Sequence, residues 1–277
     1  MIRRLTGWIA GAAVLAGSVF GVHAEGVRTQ SAIVEPVADV RAFAPGIPFR
    51  VGVRIRLDPG WHTYWINPGE AGMATSVKWA LPDGFTAGPL QWPFPRRFVS
   101  DGIVGFGYEG EVILFSEIMP PRDWPGGQPA GLKAGVDLLL CKDICVPGSA
   151  ALTWSLRAAT EAESDPEGRI ALDRAAAEVP RKAGEGSVSA SFRDGKIVLR
   201  VEQAAGFGVS PPPVFFPEAR NLLAVDKDPE WFEREGALEG QFTLSHLARG
   251  TPLRLKGVLV PGDGSPGAVQ VDVRLAR

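Results

Sequence analysis

Residues 138–154, LLLCKDICVPGSAALTW, contain both cysteines of the chain, Cys141 and Cys145. Apolar residues alternate with other residues before and after the pair, a pattern that is typical of half-buried β-strands. Pro147 and Gly148, between the two alternating segments, are turn-forming residues. The pattern therefore predicts two strands joined by a loop, with the cysteine pair at or beside the connection.

Similar alternating segments recur through the rest of the chain, at a spacing of about ten residues with turn residues between them. Clear examples are residues 49–57 in the first half and residues 197–201 and 269–275 in the second half, and a further strand is predicted at residues 111–119. The 34 glycines and 24 prolines suit many short strands better than long helices. We therefore predict an antiparallel β-sandwich in the first half and a second all-β domain after it.

One helix is predicted between the two halves, over residues 165–179. Asp165 can cap its first turn, Pro166 suits the first helical position, and Pro180 ends it. The alanine-rich middle of the segment favours helix as well. We expect this helix to connect the two domains.

The N-terminal segment has the features of a cleaved signal peptide. Arg3 and Arg4 precede an apolar core at residues 9–22, and the sequence VHA at residues 22–24 places small residues before the cleavage point. A permanent membrane anchor is the alternative, but the apolar core is short for that role. No later stretch approaches about 18 consecutive apolar residues. We therefore expect an exported, periplasmic protein that begins near Glu25.

The chain of 277 residues is long enough for two ordinary domains, each with its own core. We expect a signal peptide at residues 1–24 and a first β-sandwich domain at residues 25–160. A helical linker at residues 161–184 then leads into a second β-sandwich domain at residues 185–277.

Composition and residue spacing exclude several functions. The net charge of −2, without runs of like charge, argues against nucleic-acid binding. The histidines, at positions 23, 62 and 246, lie near no nucleophile motif such as Gly-x-Ser-x-Gly, so hydrolase chemistry is not expected. Two cysteines and separated histidines also lack the spacing of a structural zinc site. We expect neither a bound metal nor another cofactor.

The cysteine pair leaves three chemical roles open. An even number of cysteines in an exported protein usually indicates a structural disulfide, but this bond would close a very short loop and contribute only about 2 kcal/mol. The spacing Cys-x-x-x-Cys differs from the thioredoxin motif at a helix start, and only Lys142 and Asp143 are charged nearby. A reversible redox pair, a structural disulfide and Cu(I) binding by thiolates all fit these residues.

Several ordered motifs resemble the periplasmic N-terminal regions of the DsbD/ScsB group of disulfide reductases. The motifs are GWHTYWINPG at residues 60–69 followed by Gly72, QWP at residues 91–93, GYEGEV at residues 107–112, and LCKDICVPG at residues 140–148. The resemblance covers roughly residues 30–160. Residues 185–277 resemble, more weakly, the second periplasmic module of ScsB-like members.

The resemblance implies two immunoglobulin-like β-sandwich domains, the first carrying Cys141 and Cys145 as a redox pair. It implies that the pair accepts electrons from a membrane-embedded donor of the DsbD type and reduces periplasmic thioredoxin-like proteins. Because the chain ends at Arg277 without transmembrane and thioredoxin domains, we expect a separate membrane protein to supply the electrons. The alternative is a non-catalytic interaction or copper-handling module with a structural disulfide.

The resemblance also implies a cap loop at residues 67–74 that shields the sulfurs. The candidate cap and pocket residues are Tyr64, Asn67, Gly69, Met73 and Tyr108. Met73 is a candidate lid side chain, and the two tyrosines are expected to line the sulfur pocket unless they belong to the sandwich core. Either sulfur could attack a partner disulfide, and the turn residues after Cys145 favour attack by that cysteine.

Overall fold

The computed structural model describes residues 26–202, 207–250 and 252–276. The predicted signal peptide lies outside these residues. Within them, the regular elements are 21 short strands and one α-helix, so the predicted all-β fold class is confirmed. Within the described residues, the single helix is too short and too polar to cross a membrane.

The first thirteen strands form two sheets that enclose one core. These strands are β1 Val27–Arg28, β2 Ala32–Ala38, β3 Val40–Phe43, β4 Phe49–Leu57, β5 His62–Gly69, β6 Ser76–Ala80, β7 Thr86–Ala87, β8 Arg96–Ser100, β9 Ile103–Glu109, β10 Glu111–Met119, β11 Pro129–Cys141, β12 Cys145–Ala158 and β13 Glu163–Ser164. One sheet has the order β1-β2-β4-β10-β7. The other has the order β13-β3-β12-β11-β5-β9-β8, with β6 paired to β11. Both sheets contribute buried side chains to the core, including Ile55, Trp65, Leu114 and Leu138.

The longest hairpin joins β11 to β12 and carries the two cysteines at its tip. Every second residue of β11 up to Leu140 is buried, because alternate side chains of a strand point to opposite faces. Pro147 and Gly148 do not form the turn, as the sequence suggested, but lie inside β12 opposite Leu139 and Leu138. A proline is tolerated there because β12 pairs with β3 only at its far end, which leaves this stretch as a sheet edge.

The helix α1, Pro166–Ala177, packs on the outer face of the first sandwich. Its buried side chains contact residues of β10 that point away from the core; the cluster consists of Ile113, Phe115, Leu172 and Ala175. Asp165 occupies the N-cap position as predicted, but its side chain makes no capping hydrogen bond. The predicted connector is therefore a helix docked on the first sandwich.

The remaining strands form the second unit. They are β14 Arg181–Lys182, β15 Val188–Arg193, β16 Lys196–Glu202, β17 Val214–Pro217, β18 Glu230–Arg234, β19 Ala237–Thr243, β20 Arg254–Val260 and β21 Val269–Ala276. Their order is β17-β20-β21-β15-β16-β19-β18, with β14 paired to β21. Leu199, Leu238 and Leu259 belong to a second buried cluster within this unit.

The two units share a packed boundary. Phe216 of β17 lies against Trp65 and Phe106 of the first sandwich, with ring centroids 6.3 and 5.0 Å apart. Val258 and Val260 of β20 join the same buried cluster. The second unit thus covers the part of the first core that lies under β5 and β9. The domain limits at residues 160 and 185 remain predictions.

Candidate redox site

Cys141 and Cys145 form a disulfide at the tip of the β11–β12 hairpin. Cys141 ends β11 and Cys145 begins β12, directly opposite each other, with Cα atoms 4.1 Å apart. The intervening loop is closed by a hydrogen bond of 3.1 Å from the Lys142 N–H to the Ile144 carbonyl. The backbone of the hairpin therefore brings the two cysteines together.

The two cysteines differ in their access to solvent. Cys141 is only 2% exposed, whereas Cys145 is exposed and lies next to Ile144, which is 68% exposed. A protein that approaches the hairpin tip therefore meets Cys145 before Cys141. The sulfur of Cys141 can react with a partner only if its surroundings move.

Tyr64 supplies the polar contact to the buried sulfur. Its hydroxyl donates to Cys141 Sγ at 3.1 Å and lies 3.9 Å from Cys145 Sγ. Burial raises the pKa of Tyr64 above its ordinary value, so the hydroxyl keeps its proton at neutral pH and can act as a donor. Of the predicted pocket residues, Tyr64 is the one whose polar atom contacts the sulfurs.

His62 lies on the other side of the Tyr64 hydroxyl. It stands opposite Cys141 in the register between β5 and β11, and its Nε2 is 3.3 Å from Tyr64 Oη. The imidazole packs on the ring of Phe98, with centroids 4.1 Å apart. Burial lowers the pKa of His62, and the nearby carboxylate of Glu109 acts in the opposite direction.

Sequence reasoning did not place His62 or Phe98 at the sulfurs. A signal for His62 was present, because residues two apart on a strand share a face, and His62 precedes Tyr64 by two. Phe98 gave no such signal. Its position depends on the pairing of β8 with β9, where it lies opposite Gly105.

The cap segment folds over Tyr64. The backbone at Gly72 lies so close to the tyrosine ring that a Cβ atom there would stand 2.4 Å from it. Thr75 fixes the end of the segment, because its hydroxyl donates to the Tyr64 carbonyl at 3.0 Å. Met73 is 45% exposed, and its role as a lid remains a prediction.

Asn67 and Gly69 lie at the base of the cap segment. The Asn67 side chain accepts a hydrogen bond of 3.0 Å from the Gly69 N–H and donates one of 2.7 Å to the Pro217 carbonyl in β17. Gly69 has a φ of +92°, and a Cβ there would stand 2.4 Å from the Val104 carbonyl oxygen. These two residues are thus placed to hold the base of the loop, where it meets the second unit.

Tyr108 is not brought to the sulfurs. It pairs with Thr63 in β5, so its side chain leaves the sheet on the face opposite to that of Tyr64. There it joins the buried core, and its hydroxyl donates to the Pro93 carbonyl at 2.7 Å. Burial raises the pKa of Tyr108 well above its ordinary value. Of the two expected places for Tyr108, the sulfur pocket and the sandwich core, the structure therefore has the side chain in the core.

Charged groups are few at the hairpin tip. Lys142 extends over Gly60, with its Cε 3.2 Å from the position that a Cβ of Gly60 would take. Asp143 follows it in the exposed loop. The described residues contain no group of three or more histidine, cysteine or acidic side chains that could hold a metal ion. The arrangement suits exchange between thiols and a disulfide, with one exposed and one buried cysteine.

Known proteins resemble this chain in sequence and in fold. The family described as "Thiol:disulfide interchange protein DsbD, N-terminal" matches residues 30–155. The crystal structure of the N-terminal periplasmic domain of ScsB from Proteus mirabilis superposes with a TM-score of 0.63 at 20% sequence identity. The superposition covers 91% of this chain and 98% of that chain. No curated protein matches.

The family match contains the hairpin with both cysteines, the strand with Tyr64 and the cap segment. The similarity to the ScsB domain extends the shared fold into the second unit. Together with the Cys141–Cys145 disulfide, these findings support a thiol–disulfide exchange domain. Residues 30–155 therefore form an immunoglobulin-like N-terminal domain of the DsbD family, as their motifs predicted.

Proposed function

We propose that this protein is a periplasmic thiol–disulfide exchange protein that passes reducing equivalents through Cys141 and Cys145 to thioredoxin-like partner proteins. A membrane-embedded donor of the DsbD type supplies the electrons. The observation that carries the proposal is the unequal exposure of the two cysteines, because Cys145 is exposed and Cys141 is buried against Tyr64. The signal-peptide pattern and the similarity to a periplasmic ScsB domain support the location.

In the reduced protein the reaction starts at Cys145. Its thiolate attacks one sulfur of the partner disulfide, that disulfide breaks, and the second partner sulfur leaves as a thiolate that takes up a proton. The thiolate of Cys141 then attacks Cys145 Sγ, and the mixed disulfide breaks. The partner leaves as a dithiol with two added electrons, and the cysteine pair is oxidised until the donor reduces it again.

The surroundings of the sulfurs support this division of roles. The exposed Cys145 can meet a sulfur on another protein, while the buried Cys141 is held within reach of Cys145 by the hairpin. When the donor reduces the pair, Cys141 leaves as a thiolate. The Tyr64 hydroxyl already points at this sulfur, and a hydrogen bond to a thiolate is stronger than one to a neutral acceptor.

A redox titration of purified residues 25–277 against glutathione buffers tests the proposal, with thiol alkylation and mass measurement as the readout. We expect both cysteines to interconvert together between about −180 and −270 mV, the range of proteins that exchange disulfides. A bond that stays closed below about −300 mV would instead mark a structural disulfide. Reduction of an oxidised thioredoxin-like protein by the reduced chain then tests the direction of electron flow.

A further inference from the structure

We propose that His62 accepts the proton of the buried Cys141 thiol through the Tyr64 hydroxyl, and returns a proton by the same path. This inference rests on the proposed function, because it concerns the step in which Cys141 closes the disulfide. Tyr64 touches the reacting sulfur, and His62 acts on the sulfur only through Tyr64. His62 is therefore a positioning residue, and Tyr64 is the residue in contact with the reaction.

The geometry forms a continuous polar chain inside an apolar surround. Nε2 of His62 is 3.3 Å from Tyr64 Oη, which is 3.1 Å from Cys141 Sγ. The chain is shielded from bulk solvent, since Cys141 is 2% exposed, Tyr64 5% and His62 6%. Phe98 covers the imidazole from one side, and Gly72 of the cap segment covers the tyrosine ring.

The reaction needs a proton acceptor at this place. Cys141 must become a thiolate before it can attack Cys145 Sγ in the mixed disulfide, because the thiolate is the nucleophile. A thiol in buried, apolar surroundings resists ionisation. Cys141 is also too buried to deliver its proton directly to bulk water. A neutral base that reaches the sulfur through one hydroxyl removes this obstacle.

The proposed transfer is balanced in atoms and electrons. In the disulfide form the Tyr64 hydroxyl donates to Cys141 Sγ; in the reduced form the Cys141 thiol donates to Tyr64 Oη and the hydroxyl turns to His62 Nε2. The proton of Cys141 then moves to Tyr64 Oη, while the hydroxyl proton of Tyr64 moves to His62 Nε2. The electron pair stays on Cys141 Sγ, which forms the bond to Cys145 as the bond from Cys145 to the partner sulfur breaks. The imidazolium does not persist at pH 7, because burial lowers the pKa of His62, and it loses its proton to solvent. When the donor later reduces the pair, the Cys141 thiolate takes a proton from Tyr64 Oη, Tyr64 takes one from His62 Nε2, and His62 takes one from solvent.

The charges around His62 suit a base that is neutral at rest. Glu109 faces it from β9, directly opposite in the register, and would stabilise the imidazolium once formed. Lys142 extends from the hairpin loop over Gly60, two residues before His62. Burial outweighs Glu109 and lowers the pKa of His62, so the ring is neutral at pH 7 and able to accept a proton.

The experiment follows the closing step directly, with oxidised glutathione as the probe. Reduced protein is mixed with oxidised glutathione, quenched with acid at intervals, and the decay of the Cys145–glutathione mixed disulfide is measured by mass between pH 5 and 9. We expect His62→Phe and Tyr64→Phe to slow this decay about tenfold or more at pH 7, since a positioned general base contributes at least that much. The difference in decay rate between each variant and the parent should become smaller at high pH, where the Cys141 thiol ionises without a base.

Phe98→Leu is the matched control, because Phe98 packs on the same imidazole but lies outside the hydrogen-bonded chain. It should keep the parent pH profile. The inference is overturned if the mixed disulfide of His62→Phe decays at the parent rate across the pH range. It is also overturned if Phe98→Leu slows the decay as much as His62→Phe does. A parent protein that never closes its disulfide would instead contradict the proposed function, so the two failures are distinguishable.

Discussion

At the scale of single residues, the exposed and buried sulfurs give the first prediction. In Cys141→Ala, Cys145 can still attack an oxidised thioredoxin-like protein, but no second thiol is present to release it. We expect the mixed disulfide to accumulate, visible as a shifted band on a non-reducing gel and as the summed mass.

Cys145→Ala is the matched control for this trap. Its remaining thiol is buried and bonded to Tyr64, so we expect little mixed disulfide under the same conditions. Equal trapping by both variants, or more by Cys145→Ala, would contradict the assignment of Cys145 as the attacking sulfur.

The burial of His62 also makes us expect that the free energy of unfolding depends on pH. Because burial lowers its pKa in the folded state, the unfolded chain binds more protons than the folded protein as the pH falls below about 6.5. The contribution of neutral His62 is thus fully present above that pH and is lost below it. We expect His62→Phe to reduce the fall in the free energy of unfolding between pH 7.5 and 5.5, measured with urea.

Replacement of the exposed His246 by Gln is the control for this measurement. If His62→Phe and the parent lose equal stability over the same pH interval, then the titration of His62 does not contribute to acid sensitivity.

The positions of Tyr64 and Tyr108 could be predicted from the sequence only in part. Both lie in motifs of the family, and the motifs alone did not separate a pocket role from a core role. The separation comes from the register of β5 with β9, which sends Tyr64 and Tyr108 to opposite faces. Register depends on pairing between strands distant in sequence, so a single sequence does not reveal it.

At the scale of elements, the cap segment depends on the absence of a side chain at Gly72. Its φ of +105° and the nearby tyrosine ring both disfavour any larger residue. We expect Gly72→Ala to displace the cap and to destabilise the fold by about 1 kcal/mol or more. Without the cap over it, the disulfide should then be reduced by dithiothreitol several times faster than in the parent protein.

Gly102→Ala provides the matched control. Gly102 also has a positive φ, of +80°, but an added Cβ would meet no atom within 4 Å. Gly102→Ala should therefore strain the backbone as Gly72→Ala does, but the rate at which dithiothreitol reduces its disulfide should equal that of the parent. An equal change in rate in both variants would show that the cap does not shield the sulfurs.

The limits of several elements were predicted well from the sequence. Residues 49–57 and 111–119 are β4 and β10 with the predicted limits, and the predicted helix at 165–179 is α1 with slightly shorter ends. The turn of the β11–β12 hairpin was misplaced, because Pro147 and Gly148 read as a turn. The true turn at residues 142–144 contains neither glycine nor proline, and its one turn-forming residue, Asp143, is a weaker signal than the Pro147-Gly148 pair.

At the scale of the whole molecule, the second unit is tied to the cap segment. Asn67 bonds to the Pro217 carbonyl, and Arg220 donates to the Glu70 carbonyl at 3.2 Å. Phe216 fills the space beneath, against Trp65. The sequence did not predict this contact, since the paired residues are 150 positions apart and no local pattern connects them.

This boundary gives the last prediction. Asn67→Ala would leave the buried Pro217 carbonyl and the Gly69 N–H without their present partner, so we expect a loss of about 1–3 kcal/mol in the free energy of unfolding. Hydrogen exchange should rise in the segment 70–75. The measurement is urea unfolding of the full chain, combined with exchange detected by mass.

Arg220→Ala is the comparison variant, because its bond across the same boundary is exposed. Its replacement should change stability by no more than about 0.5 kcal/mol. If Asn67→Ala is equally mild and exchange in the cap is unchanged, the second unit does not hold the cap in place.

The β11–β12 hairpin also has a kinetic consequence. Its backbone pairing runs without a break from Pro129 to Cys141, and we expect these many pairs to hold the hairpin together when the bond between the sulfurs is reduced. After reduction the two thiols remain neighbours, so Cys141 is present at Cys145 at a very high effective concentration. A mixed disulfide with any partner is therefore short-lived, and its lifetime is set within the chain and not by the supply of free thiols around it.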